Sequence, residues 1–193
     1  MRYFFVETLG KLGNPNLCIL SRPPDGLGVK SYRMAKGKKI GVHYPKDAII
    51  YMDDEHPGIK IESLIGNTKG YLIVSREMKE CIEEHCTFCE IEYLPFTLYN
   101  HKKRVHSQDY FIINPIGTFD CLNLKASQIE YLDGEVVGID NFVVDPRKLE
   151  KPPALFRIKE DPRRYVINEE LAKAFEEKGF TNVLLKEIGQ STK

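Results

Sequence analysis

Two cysteines and two histidines have a spacing that could bind zinc. Cys86 and Cys89 are separated by two residues, and His101 and His106 follow after a further eleven-residue interval. Two thiolates and two imidazoles spaced in this way suit the tetrahedral coordination of a structural zinc ion. The segment between the histidines is basic, which suits a nucleic-acid groove. The pattern therefore suggests a zinc-containing nucleic-acid-binding module.

The residues around this group favour a different interpretation. A two-residue period from Cys89 to Tyr93 is typical of a half-buried strand and places Cys89 on its buried face. Pro95 lies where a zinc finger would begin its helix, and it predicts a sheet edge or a bend instead. On this interpretation the two thiols belong to the core, the histidines lie on a polar hairpin, and no cofactor is expected.

Other chemistry-bearing patterns are weak. The sequence contains no nucleophile elbow, no zinc-protease motif and no phosphate-binding loop. Arg157 lies inside the apolar segment 155–158, so we expect it to pair with a buried carboxylate, to form a structural ion pair or to lie at the edge of a sheet. These observations predict a protein that is not an enzyme, although a small enzyme with an unrecognised site is a further alternative.

The elements that position these residues include a pattern that occurs twice. Residues 72–84 and 165–177 each read as a short apolar strand, a capping residue and an amphipathic helix. Ser75 and Asn168 are the predicted caps. Apolar residues recur at helical spacing, namely Met78, Cys81 and Ile82 in the first copy and Leu171, Ala174 and Phe175 in the second. Chance similarity and duplication both explain two related strand–helix–strand units.

The remaining segments predict an α+β fold of mostly antiparallel strands with two or three amphipathic helices. Asp133-Gly134 between two apolar runs predicts a tight hairpin, and residues 118–124 read as a further strand. Residues 1–69 are rich in loops and short strands, and we expect them to pack on residues 70–188 within one compact domain.

Composition restricts the class of protein. The chain has 28 basic and 28 acidic residues, so its net charge gives no reason to expect nucleic-acid binding. No run of about 18 apolar residues is present, which argues against a membrane-spanning helix. Five cysteines, an odd number, are expected to be reduced thiols, in keeping with a cytoplasmic location.

Three stretches of the chain resemble a known protein family. They are residues 72–95, residues 110–127, and residues 155–158 with 165–183. In these segments the chain is similar to the eleventh immunity family of bacterial polymorphic-toxin systems, a myxobacterial-type domain formerly of unknown function. The resemblance covers residues 70–188, and the N-terminal part matches loosely.

This resemblance implies a non-enzymatic cytoplasmic protein that binds a cognate toxin encoded nearby and neutralises it. It supplies no catalytic or toxin-binding residues to carry over. If the toxin is basic, acidic surface residues would speed association and confer specificity. The candidates for contact are Asp53, Asp54 and Glu55, followed by Glu83 and Glu84 with Glu90 and Glu92 nearby. The identity of the toxin and the oligomeric state stay open at this point.

Overall fold

Two four-stranded sheets form the framework of this computed structural model, which describes residues 1–191. The strands in that part of the chain are β1 (Tyr3–Val6), β2 (Ile19–Leu20), β3 (Ile49–Tyr51), β4 (Gly66–Asn67), β5 (Leu72–Ser75), β6 (Ile91–Tyr99), β7 (Val105–Pro115), β8 (Ile129–Leu132), β9 (Glu135–Ile139), β10 (Val143–Val144), β11 (Leu155–Arg157), β12 (Tyr165–Asn168), β13 (Leu185–Glu187) and β14 (Gly189–Gln190). The helices are α1 (Tyr32–Ala35), α2 (Arg76–His85) and α3 (Glu169–Glu177).

The strands pair mostly in antiparallel fashion. One large sheet has the order β3-β6-β7-β5 and the other the order β11-β12-β1-β13. Three two-stranded sheets, β2-β4, β8-β9 and β10-β14, complete the architecture. Only β3-β6, β2-β4 and β10-β14 are parallel among the strand pairs of the described residues. The prediction of an α+β fold with mostly antiparallel strands is confirmed.

The two related strand–helix–strand units are present and share one arrangement. In the first, β5-α2-β6, the two strands run parallel and β7 lies between them, antiparallel to both. In the second, β12-α3-β13, β1 takes the same intermediate place. The predicted caps act as expected, since Ser75 Oγ accepts the Met78 N–H at 3.4 Å and Asn168 Oδ1 accepts the Leu171 N–H at 2.9 Å.

The apolar faces of the two units pack on one another. Met78 and Ile82 of α2 share a buried cluster with Leu171 and Phe175 of α3 and with residues of both large sheets. This packing follows from the helical period of the apolar residues, which places them on one face of each helix. The two units therefore stabilise each other across a common core.

The N-terminal segment packs on the first large sheet. Met34, Ile40 and Ile50 share a second buried cluster with Ile73 and Ile112. Strand β1, although it lies near the start of the chain, is an inner strand of the second large sheet. The buried clusters thus cross the sequence boundary at residue 69.

Two local predictions differ from the structure. Residues 118–124 form no strand, because Phe119 and Leu122 each make only an isolated bridge, to Ile158 and Val144. Residues 1–69, expected to consist of loops and short strands, also contain the single-turn helix α1. Residues 118–124 have the apolar content of a strand, but strand pairing depends on the distant segments that lie beside them.

The strand and turn predictions around Pro95 and Asp133 agree with the structure. Strand β3 pairs with β6 only from Thr97 onward, so the half of β6 that contains Pro95 has one free edge. Asp133 and Gly134 have φ values of 51° and 84°, as the tight hairpin between β8 and β9 requires. No helix formed by residues 1–191 combines the length and the apolar character needed to cross a membrane.

Candidate functional site

The first predicted acidic cluster is only partly a surface feature. Asp54 and Glu55 are exposed, but Asp53 is 4% exposed, so the expectation that it is a surface charge is corrected. Its Oδ2 accepts a hydrogen bond from the Ser21 hydroxyl, and its Oδ1 accepts one from the Glu55 backbone N–H at 3.2 Å. The Asp53 carboxylate therefore closes the turn that follows β3 and is not available to a partner.

A polar cleft of about 350 Å³ adjoins this turn. Arg22, Lys103 and His101 line it beside the acidic residues, and His101 Nδ1 lies 3.7 Å from Asp54 Oδ1. Basic and acidic groups are thus mixed at this cleft, which weakens its negative potential.

The same turn holds one group that could bind a metal. Asp53, Glu55 and His56 each place a ligand atom within 4.8 Å of the others, the only group of three among residues 1–191. Two carboxylates and one imidazole suit a divalent cation of intermediate hardness. Glu55 is exposed and Asp53 is already hydrogen-bonded, so we assign no metal to it.

The second predicted acidic cluster is largely neutralised by lysines. Glu83 pairs with Lys79 on the same helix, and Glu84 pairs with Lys178 at 3.3 Å across the helix pair. Exposed pairs of this kind contribute little energy, but they lower the net local charge.

The two neighbouring glutamates of that cluster also have structural partners. Glu90 pairs with Lys39, and Glu92 accepts the backbone N–H groups of Ile40 and Gly41. The two predicted acidic clusters also lie at opposite ends of β6, a separation of about 30 Å at the usual rise of a strand. They form two small surfaces and not one.

The four predicted zinc ligands are not brought together. Cys86 and Cys89 form a turn just before β6, closed by a 3.2 Å hydrogen bond from the Cys89 N–H to the Cys86 carbonyl. His101 lies in the turn that follows the other end of that nine-residue strand, and His106 lies at the start of β7 beside the same end. Cys86 is buried, as expected for a core thiol, but Cys89 is half-buried and lies in the turn, so the prediction that it lies on the buried face of a strand is wrong. One tetrahedral site built from all four residues does not fit this geometry.

The two thiols of this turn have different acidities. The Cys86 thiol donates a hydrogen bond to Cys89, which lowers the pKa of Cys89 to about 7, with the backbone N–H groups of Ala154 and Leu155 contributing. The same hydrogen bond, together with burial, raises the pKa of Cys86. Cys89 also lines a cavity of about 440 Å³, so a small reagent can reach it.

Treatment of the native protein with iodoacetamide is therefore expected to modify Cys89 first. The rate should rise as pH increases through about 7, because the thiolate is the reactive form. Cys121 is buried and its pKa is raised to about 12 by burial, so it serves as the internal control. Peptide mass spectrometry after timed labelling checks the order, and equal labelling of Cys121 would contradict it.

Arg157 is fully buried, and its charge is held without a carboxylate. The guanidinium bonds at 2.6–3.3 Å to the carbonyl oxygens of Met34, Ala35, Pro115 and Pro162, to the side-chain oxygen of Asn114 and to the hydroxyl of Tyr165. It also stacks over the Tyr165 ring at 4.1 Å. The expected carboxylate partner is therefore absent from the described residues, and the role of Arg157 is structural.

The Tyr165 hydroxyl extends this network to the first strand–helix unit. It accepts the Leu72 N–H at 3.1 Å and donates to the Gly70 carbonyl at 3.2 Å. Arg157 and Tyr165 thus connect the N-terminal segment and both large sheets through buried hydrogen bonds.

An apolar groove of about 490 Å³ runs between α3 and the β1-β13 part of the second sheet. Phe4, Phe175, Phe180 and Leu185 line it, and the Arg2–Glu169 ion pair lies at its rim. Nothing in the structure indicates what would fill this groove.

The β8-β9 hairpin is an exposed surface that was not among the predicted sites. Its strands pair only with each other within residues 1–191, and several of its large apolar side chains are exposed. The available signal was the charge pattern, because residues 126–146 contain four exposed acidic residues and no lysine or arginine.

The fold and these surfaces describe a scaffold with polar and apolar contact areas, and comparison with known proteins identifies its family. The model of the Immunity protein family (Imm11) matches residues 11–190. The chain therefore belongs to the Immunity protein family (Imm11), and the match extends well beyond the 70–188 segment on which the resemblance rested. A comparison with curated proteins found no match for this chain.

Proposed function

We propose that this protein binds a toxin encoded by a neighbouring gene and neutralises it. The observation that carries the proposal is the family match, which spans nearly the whole chain, from residue 11 to residue 190. The matched region includes both strand–helix–strand units and the buried Arg157 network, so it covers nearly all of the scaffold apart from β1.

The proposal has three consequences for this chain. Its partner is a protein, its action is by binding and not by catalysis, and it acts in the cytoplasm of the cell that produces the toxin. The zinc-dependent nucleic-acid alternative has no comparable support, since β6 separates the two cysteines from the two histidines. Contact through Asp53, Asp54, Glu55, Glu83 and Glu84 stays a prediction, weakened by the buried state of Asp53 and the lysine partners of the glutamates.

Co-expression with the adjacent toxin gene tests the proposed function. Induction of the toxin alone should stop growth, whereas induction together with this chain should restore growth and give a complex that co-purifies. The matched control is the same chain carrying Arg157→Leu, which is expected to fold poorly and so to fail in rescue. Growth arrest that persists with folded wild-type protein, without a complex, would contradict the proposal.

A further inference from the structure

The β8-β9 hairpin is an arm that stands apart from the two large sheets. Its base is anchored, since Ser127 Oγ donates to the Val143 carbonyl at 3.3 Å and accepts the Val143 N–H at 3.1 Å. Ile129 and Ile139, paired across the hairpin, pack against a buried cluster below it. The arm therefore has a fixed base, and its outer part extends beyond the core.

The outer part of this arm exposes large apolar side chains. Tyr131 is 53% exposed, Leu132 is 64% exposed and Val137 is 59% exposed. Single exposed apolar residues are common on protein surfaces, but these three lie within one short hairpin, Tyr131 and Leu132 in succession on β8 and Val137 at the bulge of β9. Because successive strand residues alternate faces, the two faces of the arm both expose apolar side chains. The outer edges of both strands also have no strand partner within residues 1–191. Tyrosine is one of the residue types enriched among the side chains that carry most of the binding energy at protein interfaces.

The charged residues of the hairpin itself are all acidic. Glu130, Asp133, Glu135 and Asp140 are exposed. None of the four forms an ion pair with another described residue, in contrast to the lysine-paired Glu83 and Glu84. The nearest basic residues along the sequence are Lys125 and Arg147, outside the arm. In space, Arg163 and Arg164 line a cavity beside β9, but their ion pairs are with Asp161 and Glu7. On a chain whose overall charge is zero, the hairpin is therefore a local concentration of acidic side chains without ion-pair partners.

We propose that the hairpin arm, residues 129–140, is the surface that contacts the toxin, and that the toxin presents a basic patch to it. This inference rests on the proposed function and specifies the partner's chemistry. The four carboxylates attract a basic protein during approach, while Tyr131 and Leu132 supply the apolar contact in the complex. At the Asp54 cleft basic residues line the same surface as the acidic ones, whereas the strands of the arm carry no basic residue of their own.

Two sets of substitutions that remove the same charge distinguish the candidate surfaces. The arm set is Glu130→Gln, Asp133→Asn, Glu135→Gln and Asp140→Asn. The control set is Asp54→Asn, Glu55→Gln, Glu83→Gln and Glu84→Gln. Both retain the full chain and raise its net charge equally. The probe is the purified toxin domain encoded by the adjacent gene, and its association rate and Kd are measured at about 50 mM and about 500 mM salt.

In low salt the arm set is expected to slow association at least about 10-fold and to weaken Kd about 10- to 100-fold. The control set should change Kd less than about 3-fold. Wild-type affinity should fall steeply with salt, and affinity of the arm set should not. A separate variant, Tyr131→Ala, should weaken Kd about 30-fold in both salts, with exposed Leu12→Ala as its matched control.

The outcomes separate this inference from the proposed function. If wild-type protein does not bind the toxin domain, the proposed function fails and the arm assignment fails with it. If wild-type protein binds and the arm set binds equally well, the arm assignment alone is overturned. If the control set loses binding and the arm set does not, the arm assignment is overturned, and the toxin contacts the surfaces at Asp54 and Glu83 instead. Circular dichroism and thermal unfolding verify that each variant is folded.

Discussion

Replacement of Arg157 by leucine is expected to lower the free energy of unfolding by at least about 4 kcal/mol. The substitution removes the donors to four carbonyl oxygens, of which those of Met34 and Pro115 are in buried hydrogen bonds, and to two side-chain oxygens. Each buried acceptor left without a partner costs about 1–3 kcal/mol. Because the total stability of a domain is about 5–15 kcal/mol, much of the population should unfold. Urea denaturation followed by circular dichroism measures the change.

Two milder variants keep this prediction measurable if the leucine variant does not fold. Arg157→Lys keeps the charge but offers three donors from one point in place of five in a planar fork, so it should still cost about 2–3 kcal/mol. Tyr165→Phe removes the hydroxyl shared by Arg157 and Leu72 and should cost about 1–2 kcal/mol. Arg163→Lys, at an exposed position, is the matched control and should change stability by less than about 0.5 kcal/mol. Unaltered stability in Arg157→Lys would contradict the structural role of the network.

Leu171→Ala is expected to lower the free energy of unfolding by about 2–5 kcal/mol, the range for a fully buried leucine whose removal leaves a cavity. Leu171 lies in the cluster that includes side chains of both strand–helix–strand units. Loss of packing on α3 should therefore destabilise both units together. We expect one unfolding transition, with the same dependence on urea concentration as in the wild-type protein.

The matched control for this second prediction is Leu12→Ala, because Leu12 is exposed. It should alter stability by less than about 0.5 kcal/mol. Two separate transitions in Leu171→Ala, one for each unit, would indicate that the units are independent domains and would contradict the shared core. The experiment thus also tests the expectation of one compact domain.

Local patterns predicted the two strand–helix–strand units well. The helical period of the apolar residues and the capping side chains Ser75 and Asn168 are properties of short segments, and the structure confirms them. The Asp133-Gly134 turn was predictable for the same reason, since few residues adopt positive φ. The prediction of a strand at 118–124 was wrong, because a strand requires a continuous run of hydrogen bonds with a neighbouring strand. Phe119 and Leu122 each make only an isolated bridge.

The candidate sites were less predictable from the sequence. The cysteines and histidines have a spacing that fits zinc, but the residues between them form a long strand and a turn. The strand holds the two pairs of ligands apart, so they cannot share one zinc ion. Three acidic residues in a row suggested an exposed patch, but the turn after β3 uses the carboxylate of Asp53 internally. The sequence predicted the hairpin but not its exposed surface, because a local hairpin pattern does not indicate whether other elements cover the two strands.

The sequence by itself determined the identity of the secondary-structure units, their caps, the tight hairpin and the resemblance to an immunity family, because these depend on residues close together in the chain. Only the tertiary structure decided which charges remain unpaired and what surrounds Arg157. Those properties depend on partners far apart in sequence, such as Met34 and Arg157, or Glu84 and Lys178. Strands β1 and β7 are inner strands of the two large sheets, and this order of strands brings distant residues together. No local sequence pattern specifies the order of strands in a sheet.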